Sequence, residues 1–513
     1  MNLALVVAAC FYTTGFGTLY AQTLEVLPDR LLMDEPAAIR AHGLQPNEHV
    51  MIGAELSDGA GVRWTSQAEF IADADGTVDV SKQAPAAGSY KEVSAMGLIW
   101  SMMPTEKKVT RYQPPRDLGP QTIELKLMRQ GKQVSSARLV QMMIGEGVQR
   151  VVVREEGLHG VLFIPDTKNR YPGVLVVGGS EGGVPVRQAA WLASRGFVAL
   201  ALAYFRYEDL PARLEAIPLE YFQRALTWML TRPEVAGNRL AVVGASRGGE
   251  LALQLGSMFP QIGAVVAYVP ANVRYPACCG DNRVPYAWTW TGRPLSYMPL
   301  RSRRDPLAAM DAAIEVERTR GPVLLISGDS DLVWDSSVMA DAVVTRLKQT
   351  HFPFHYENLK YPHAGHAAGR PGIFPAWHGR FTHPVSGKPV DMGGSPKGDA
   401  ESSLDATPKV LAFLRQSLQN QPTRVTEFPP ILRIESSSVT SLRFCKKFRL
   451  QPSLPLWLRP KAAVVKTTRG FGAPTGWNAS PAASDMAPCV NFRLSCRTQV
   501  RLEAIAMLQD SEF

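Results

Sequence analysis

Between residues 23 and 147 apolar and polar positions alternate in short runs. From about Val151 they gather instead into unbroken apolar blocks separated by helical stripes. In the first region His49–Leu56, Trp64–Ala72 and Thr122–Met128 have the period of half-buried strands, Asp58-Gly59 and Asp75-Gly76 supply turns, and no long helical period intervenes. That pattern predicts a β-sandwich. In the second region the blocks are Gly173–Val177, Phe197–Ala203, Leu240–Val243, Ala264–Val269 and Pro322–Ile326. Continuous apolar runs suit strands covered on both faces of a parallel sheet. Leu219, Phe222, Leu226, Met229 and Leu230 form a stripe at helical spacing, and a last helix is expected around Pro408–Leu418. The expected class is therefore α/β: a doubly wound, mostly parallel sheet preceded by a smaller β-sandwich. Four segments follow, a leader at 1–22, the sandwich at 23–147, the α/β domain at 148–419 and a tail at 420–513.

One turn in the second region carries chemistry. Gly244-Ala245-Ser246-Arg247-Gly248-Gly249 follows the strand Leu240–Val243 and precedes the apolar helix Glu250–Met258. This is a G-x-S-x-G elbow in its strand–turn–helix setting, where a serine is held on a strained turn above a helix N-terminus. Serine is a poor nucleophile alone and needs a base and an orienting acid, which hydrolases of this build supply later in the chain. Pro322–Ile326 runs into Ser327-Gly328-Asp329-Ser330-Asp331, so both aspartates are candidates for the acid, and spacing does not separate them. His366, after Ala364-Gly365, is placed to face Ser246 from the loop that follows a strand at His351–Leu359. The loop Gly178-Gly179-Ser180-Glu181-Gly182-Gly183 lacks the Walker lysine. It is expected to offer backbone N–H groups to an oxyanion from Ser180 or Glu181, with the N–H of Arg247 as the second donor.

Six of the nine histidines fall between His351 and His383, and His363-x-x-His366 has the form of a metal pair. It lacks a third ligand and a helical setting, so His363 reads as a surface loop residue rather than a metal ligand, and hydrolysis by a serine triad calls for neither metal nor organic cofactor.

Net charge changes the picture less than its size suggests. The chain carries 55 basic and 46 acidic residues, of which 13 and 6 lie after Gln419. The rest is left with 42 against 40. A near-neutral catalytic region gives no nucleic-acid surface, and the tail, without sustained periodicity, is expected to be poorly ordered and to do no chemistry. The six cysteines (Cys10, Cys278, Cys279, Cys445, Cys489, Cys496) form no disulfide framework or zinc spacing. Asn2–Ala21 is apolar and uncharged and ends at a plausible cleavage point, Ala21-Gln22, but lacks a positive n-region. A signal peptide would place the protein in the periplasm or outside the cell, a mis-called start in the cytoplasm. With the leader removed, no integral membrane span is expected.

The motif strings resemble those of the acyl-CoA thioesterase and bile acid-CoA:amino acid N-acyltransferase (BAAT) family over about residues 24 to 418. In the first region these are Asp34-Glu35-Pro36, Gly43-Leu44-Gln45-Pro46, Gly88-Ser89-Tyr90 and Met96-Gly97-Leu98-Ile99-Trp100-Ser101. In the second they are the stretch from Leu202 to Pro211, Ser246-x-Gly248-Gly249-Glu250-Leu251, Gly328-x-x-Asp331-x-x-Trp334 and Tyr361-Pro362-x-Ala364-Gly365-His366. The resemblance implies Asp331 rather than Asp329 as the triad acid. Within the family serine accompanies hydrolysis and cysteine accompanies transfer to amino acids, so Ser246 implies a thioesterase. The implied partner is a small-molecule acyl thioester, split through a Ser246–Asp331–His366 triad and an acyl-enzyme. The alternatives are an exported carboxylic-ester hydrolase of dienelactone-hydrolase type, an acyl-CoA:amino acid N-acyltransferase, or an inactive hydrolase fold that binds a partner.

Overall fold

Parity along the apolar blocks decides which face of the sheet each residue covers. In Gly173–Val177 the side chains of Leu175 and Val177 enter one core, while Val174 and Val176 enter another. The computed structural model describes residues 21–166, 168–279, 283–298 and 310–419, all within one contact unit. Residues 1–20, most of the leader, and the tail at 420–513, and thus the expectations placed on them, lie outside the described residues.

Eight strands form the large sheet: β1 (Gln149–Val153), β2 (His159–Ile164), β3 (Tyr171–Val177), β4 (Val198–Ala203), β5 (Val235–Ala245), β6 (Ile262–Tyr268), β7 (Val323–Gly328) and β8 (Tyr356–Tyr361). Their spatial order is β1-β2-β4-β3-β5-β6-β7-β8. The pairs β1–β2 and β2–β4 are antiparallel and all the others are parallel. Five helices cover it: α1 (Val186–Ser194), α2 (Leu219–Thr231), α3 (Arg247–Met258), α4 (Ser336–Gln349) and α5 (Pro396–Gln419). Helices α1 and α5 pack on the Val174/Val176 face, and α2, α3 and α4 on the Leu175/Val177 face. This is the α/β-hydrolase architecture, and every apolar block predicted as a strand lies in the sheet.

Two boundaries differ from expectation. The last strand begins at Tyr356 rather than His351, because α4 runs to Gln349 and a turn at His351–Phe352 follows. Helix α5 starts twelve residues earlier than its apolar half and contains Pro408. Its polar first half is held by side chains: Asp399 accepts the Gly365 N–H at 2.8 Å, and Ser402 accepts the Gly369 N–H at 2.9 Å.

Ahead of this sheet, His49–Ser57 and Arg63–Ile71 pair antiparallel and alternate buried and accessible residues along their length. They belong to a seven-stranded sheet, while Thr23–Leu27, Ala38–His42 and Val78–Asp79 form a three-stranded one. Leu24, Val26 and Ile39 from the smaller sheet share a core with Ile52, Trp64 and Phe70 from the larger. The Asp58-Gly59 turn forms because the Asp58 carboxylate accepts the N–H groups of Ala60 and Val62, both at 2.9 Å, and the Trp64 indole at 3.1 Å.

The sandwich is clamped to the α/β part. Arg195, at the end of α1, donates to Asp34 at 3.1 Å and to Glu35 at 2.9 Å. The segment after His366 lies along the sandwich: Ile373 donates its N–H to Met33 O at 2.7 Å, and Gly379 donates to Thr110 O at 2.6 Å. Among the described residues no helix is long and apolar enough to cross a membrane.

Candidate active site

The elbow begins where β5 ends. Ser246 has φ 59° and ψ −122°, a conformation L-residues avoid. The strain is held from both sides, since the Ser246 N–H donates to Tyr268 O at 2.9 Å and its carbonyl accepts from Gly249 and Glu250. Neighbouring backbone passes so close that a Cβ on Gly244 would lie 2.0 Å from Gly248 O, and one on Gly248 would lie 2.5 Å from Gly178 O. Both glycines are therefore steric requirements. Gly244→Ala should cost about 3 kcal/mol, at the upper end of overpacking penalties. Urea denaturation of the variant measures it, and a loss below about 1 kcal/mol would mean that the turn can open without strain.

His366 faces this serine. Its Nε2 lies 2.8 Å from Ser246 Oγ, and its Nδ1 lies 2.7 Å from Asp331 Oδ2. A carboxylate only accepts, so Nδ1–H donates to Asp331 and Nε2 is left to accept from the serine hydroxyl. All three residues are buried. The other Asp331 oxygen accepts the N–H groups of Val333 at 2.9 Å and Trp334 at 3.3 Å. Asp329 is committed elsewhere, to the His363 N–H at 2.7 Å and the Ser330 hydroxyl at 2.9 Å. The structure thus brings Asp331, not Asp329, to the histidine. His363 itself is exposed, and both ring nitrogens of His366 are occupied by Ser246 and Asp331.

Several further groups support the relay. The Trp334 ring stands edge-on to the His366 imidazole, with centroids 5.4 Å apart, and its indole N–H is held by Val269 O at 3.1 Å. Asp399 fixes the histidine loop through the Gly365 N–H and is itself bonded to His378 at 2.9 Å. Gly365 and Gly393 pack so closely that a Cβ on the former would lie 2.4 Å from the carbonyl oxygen of the latter.

The glycine-rich loop after β3 lies against the serine, where a Cβ on Gly179 would come within 3.9 Å of Ser246 Oγ. Four side chains tether it. The Tyr204 hydroxyl donates to Gly178 O at 2.7 Å, and Arg206 donates to Glu181 O at 2.9 Å. Arg111, reaching across from the sandwich, pairs with the Glu181 carboxylate at 2.8 Å. Burial would raise the Glu181 pKa, but the Arg111 guanidinium overrides it and the net shift is downward. The fourth tether is His383. Its Nδ1 accepts the N–H groups of Val385 and Ser386, so its Nε2–H donates to Ser180 Oγ at 3.0 Å. Burial lowers the His383 pKa, which favours the neutral ring that this arrangement needs.

Arg247 stands in the first turn of α3, where backbone N–H groups have no intrahelical partner. Its side chain turns away from the serine. It donates to Pro276 O at 2.9 Å and Tyr275 O at 3.2 Å and lies 3.1 Å from Glu250, which is fully buried. Burial raises the Glu250 pKa against the pull of Arg247, and the Trp288 indole donates to it at 2.7 Å. The segment anchored in this way carries a disulfide between the adjacent Cys278 and Cys279. A bond between neighbours closes only its own small ring and staples no loop. A recess of about 360 Å³ lined by Phe259, Pro260 and Trp290 lies at the far end of α3, about 18 Å along the helix from Ser246.

Among known proteins, residues 34–155 match the family described as acyl-CoA thioester hydrolase/BAAT N-terminal region. Residues 217–420 match the one described as BAAT/acyl-CoA thioester hydrolase C terminal. Acyl-coenzyme A thioesterase 6 of Mus musculus is 31% identical over 421 residues, covering 78% of this chain and 98% of that protein. The chain belongs to the acyl-CoA thioesterase/BAAT family. Another relative, acyl-coenzyme A thioesterase 1 of Homo sapiens, is 32% identical over 416 residues, covering 78% of this chain and 97% of its own. Of solved structures, a puromycin-hydrolyzing peptidase of Mycobacterium tuberculosis is 14% identical with a TM-score of 0.36, covering 74% of this chain and 55% of its own. The two matched family regions leave residues 156–216 between them, and that interval holds β3, the Gly178–Gly183 loop and α1.

Proposed function

We propose that this family member is a serine hydrolase that splits acyl-CoA into a free acid and CoA, using Ser246, His366 and Asp331. The observation that carries the reading is the unbroken chain of hydrogen bonds from Ser246 Oγ through His366 to Asp331, at 2.8 and 2.7 Å, in a chain related over 78% of its length to acyl-CoA thioesterases. Ser246 Oγ attacks the thioester carbonyl carbon while His366 Nε2 takes its proton. Asp331 keeps the ring in the required tautomer and stabilises the imidazolium. The carbonyl oxygen, now negative, is held by the N–H of Arg247 and by an N–H of Ser180 or Glu181. The C–S bond breaks, the departing CoA sulfur takes the proton back from the His366 imidazolium and leaves as thiol, and the acyl group remains on Ser246. Water, deprotonated by His366, then attacks the ester carbonyl; the bond to Ser246 Oγ breaks as His366 returns the proton to it, and the acid is released.

In this reading residues 148–419 do the chemistry, and residues 23–147 position it through Arg111. The test is thiol release from acyl-CoAs of increasing chain length, run beside p-nitrophenyl esters of the same acids. Turnover of the CoA esters supports the proposal and gives the chain preference. Turnover of oxygen esters alone would overturn the substrate and keep the serine chemistry. No turnover of either would overturn both and direct the search to acyl transfer or to a binding role.

A further inference from the structure

Around the glycine-rich loop the chain gathers more positive charge than its own acids balance. Arg111 and Arg206 both meet Glu181, one at its carboxylate and one at its carbonyl. Arg370 donates to the carbonyl of His366 at 3.3 Å, so it adjoins the histidine that faces Ser246. Arg187, in the first turn of α1, makes no hydrogen bond or ion pair among the described residues, although Tyr112, Arg370 and Glu181 act on its charge. The nearby acids Asp331 and Asp399 are already bonded to His366 and His378. Four guanidinium groups thus share one further carboxylate. The surplus is local, because residues 1–419 carry 42 basic against 40 acidic side chains.

Like charges held together cost stability unless an anion completes the set. The setting fits one. Arg187 and Arg370 are solvent-exposed, yet protein crowds them enough to push both guanidinium pKa values down. Guanidinium is also the side chain whose planar fork matches phosphate oxygens.

We infer that Arg187, with Arg111, Arg206 and Arg370 around it, forms the subsite that receives the phosphate-bearing part of the leaving CoA, beside the loop that faces Ser246. This rests on the thioesterase reading above and adds to it which part of the substrate is recognised and by which residues. Glu181 sets the geometry of the subsite by engaging Arg111, which leaves Arg187 as the guanidinium free of protein partners among the described residues.

The experiment compares an acyl-CoA with the N-acetylcysteamine thioester of the same acid, which keeps the reacting bond and lacks every phosphate. The quantity read is the ratio of kcat/KM for the two, so a general loss of activity cancels. Arg187→Gln should lower the ratio about tenfold or more, through the KM for acyl-CoA, and Arg187→Lys should restore part of it. Free CoA should inhibit wild type competitively and inhibit Arg187→Gln more weakly. Raising the salt concentration should shrink the wild-type ratio and leave that of Arg187→Gln nearly flat. If wild type cleaves both esters and the ratio does not move in Arg187→Gln, the subsite is overturned and the thioesterase reading stands. If wild type cleaves neither, that reading falls and the subsite with it.

Discussion

Ser246→Ala should lower kcat on the preferred thioester by about four orders of magnitude or more, because members of such a relay act as a unit and what remains is binding and oxyanion stabilisation. The fold should survive. The bonds that hold Ser246 in place use its backbone N–H and carbonyl, which alanine keeps. Only the Oγ contact with His366 is lost. A thermal melt beside the kinetics separates lost chemistry from lost structure. A serine-directed fluorophosphonate should label wild type and fail to label the variant. Turnover within tenfold of wild type, with labelling retained, would place the nucleophile elsewhere and remove the basis of the mechanism.

The second large effect distinguishes two aspartates that stand two residues apart. Asp331→Asn should cost about four orders of magnitude in kcat, since an amide facing Nδ1 no longer enforces the tautomer in which Nε2 can accept the serine proton. Its remaining oxygen can still accept from Val333 and Trp334, so the turn persists. Asp329→Asn should stay within about threefold of wild type, because its one engaged oxygen accepts from the His363 N–H and the Ser330 hydroxyl, bonds that an amide oxygen can also accept. The pair is read by kcat/KM on one substrate. Reversed effects would move the orienting acid to Asp329.

The sheet was legible because its strands are covered on both faces, which leaves unbroken apolar blocks in the sequence. Strand β1 shows the limit of that signal: four of its five residues, Gln149 to Val152, are exposed, so nothing in their pattern demands a strand. The elbow was legible because glycines at 244 and 248 answer to a local steric need. Asp331 could not be separated from Asp329 by spacing, since the choice lies in which carboxylate the turn directs inward. His383 on Ser180, Arg111 on Glu181 and Arg195 on Asp34 join residues between 70 and 203 positions apart. Contacts of that kind leave no periodic trace, and only the closing of the fold creates them. The disulfide at Cys278–Cys279 escaped for another reason: adjacent cysteines close no loop, so a search for loop-closing spacings passes over them.

Arg111 belongs to the sandwich, yet it neutralises a carboxylate on the loop that faces the nucleophile. The two halves therefore cannot be traded as independent modules. Grafting this α/β half onto a foreign sandwich would break the Glu181 ion pair with Arg111 and leave Arg195 without Asp34 and Glu35. Recombination at the seam is penalised unless both sides travel together, and a change at position 111 or 181 calls for a compensating change at the other. Directed evolution of this enzyme should mutate those two positions as one unit.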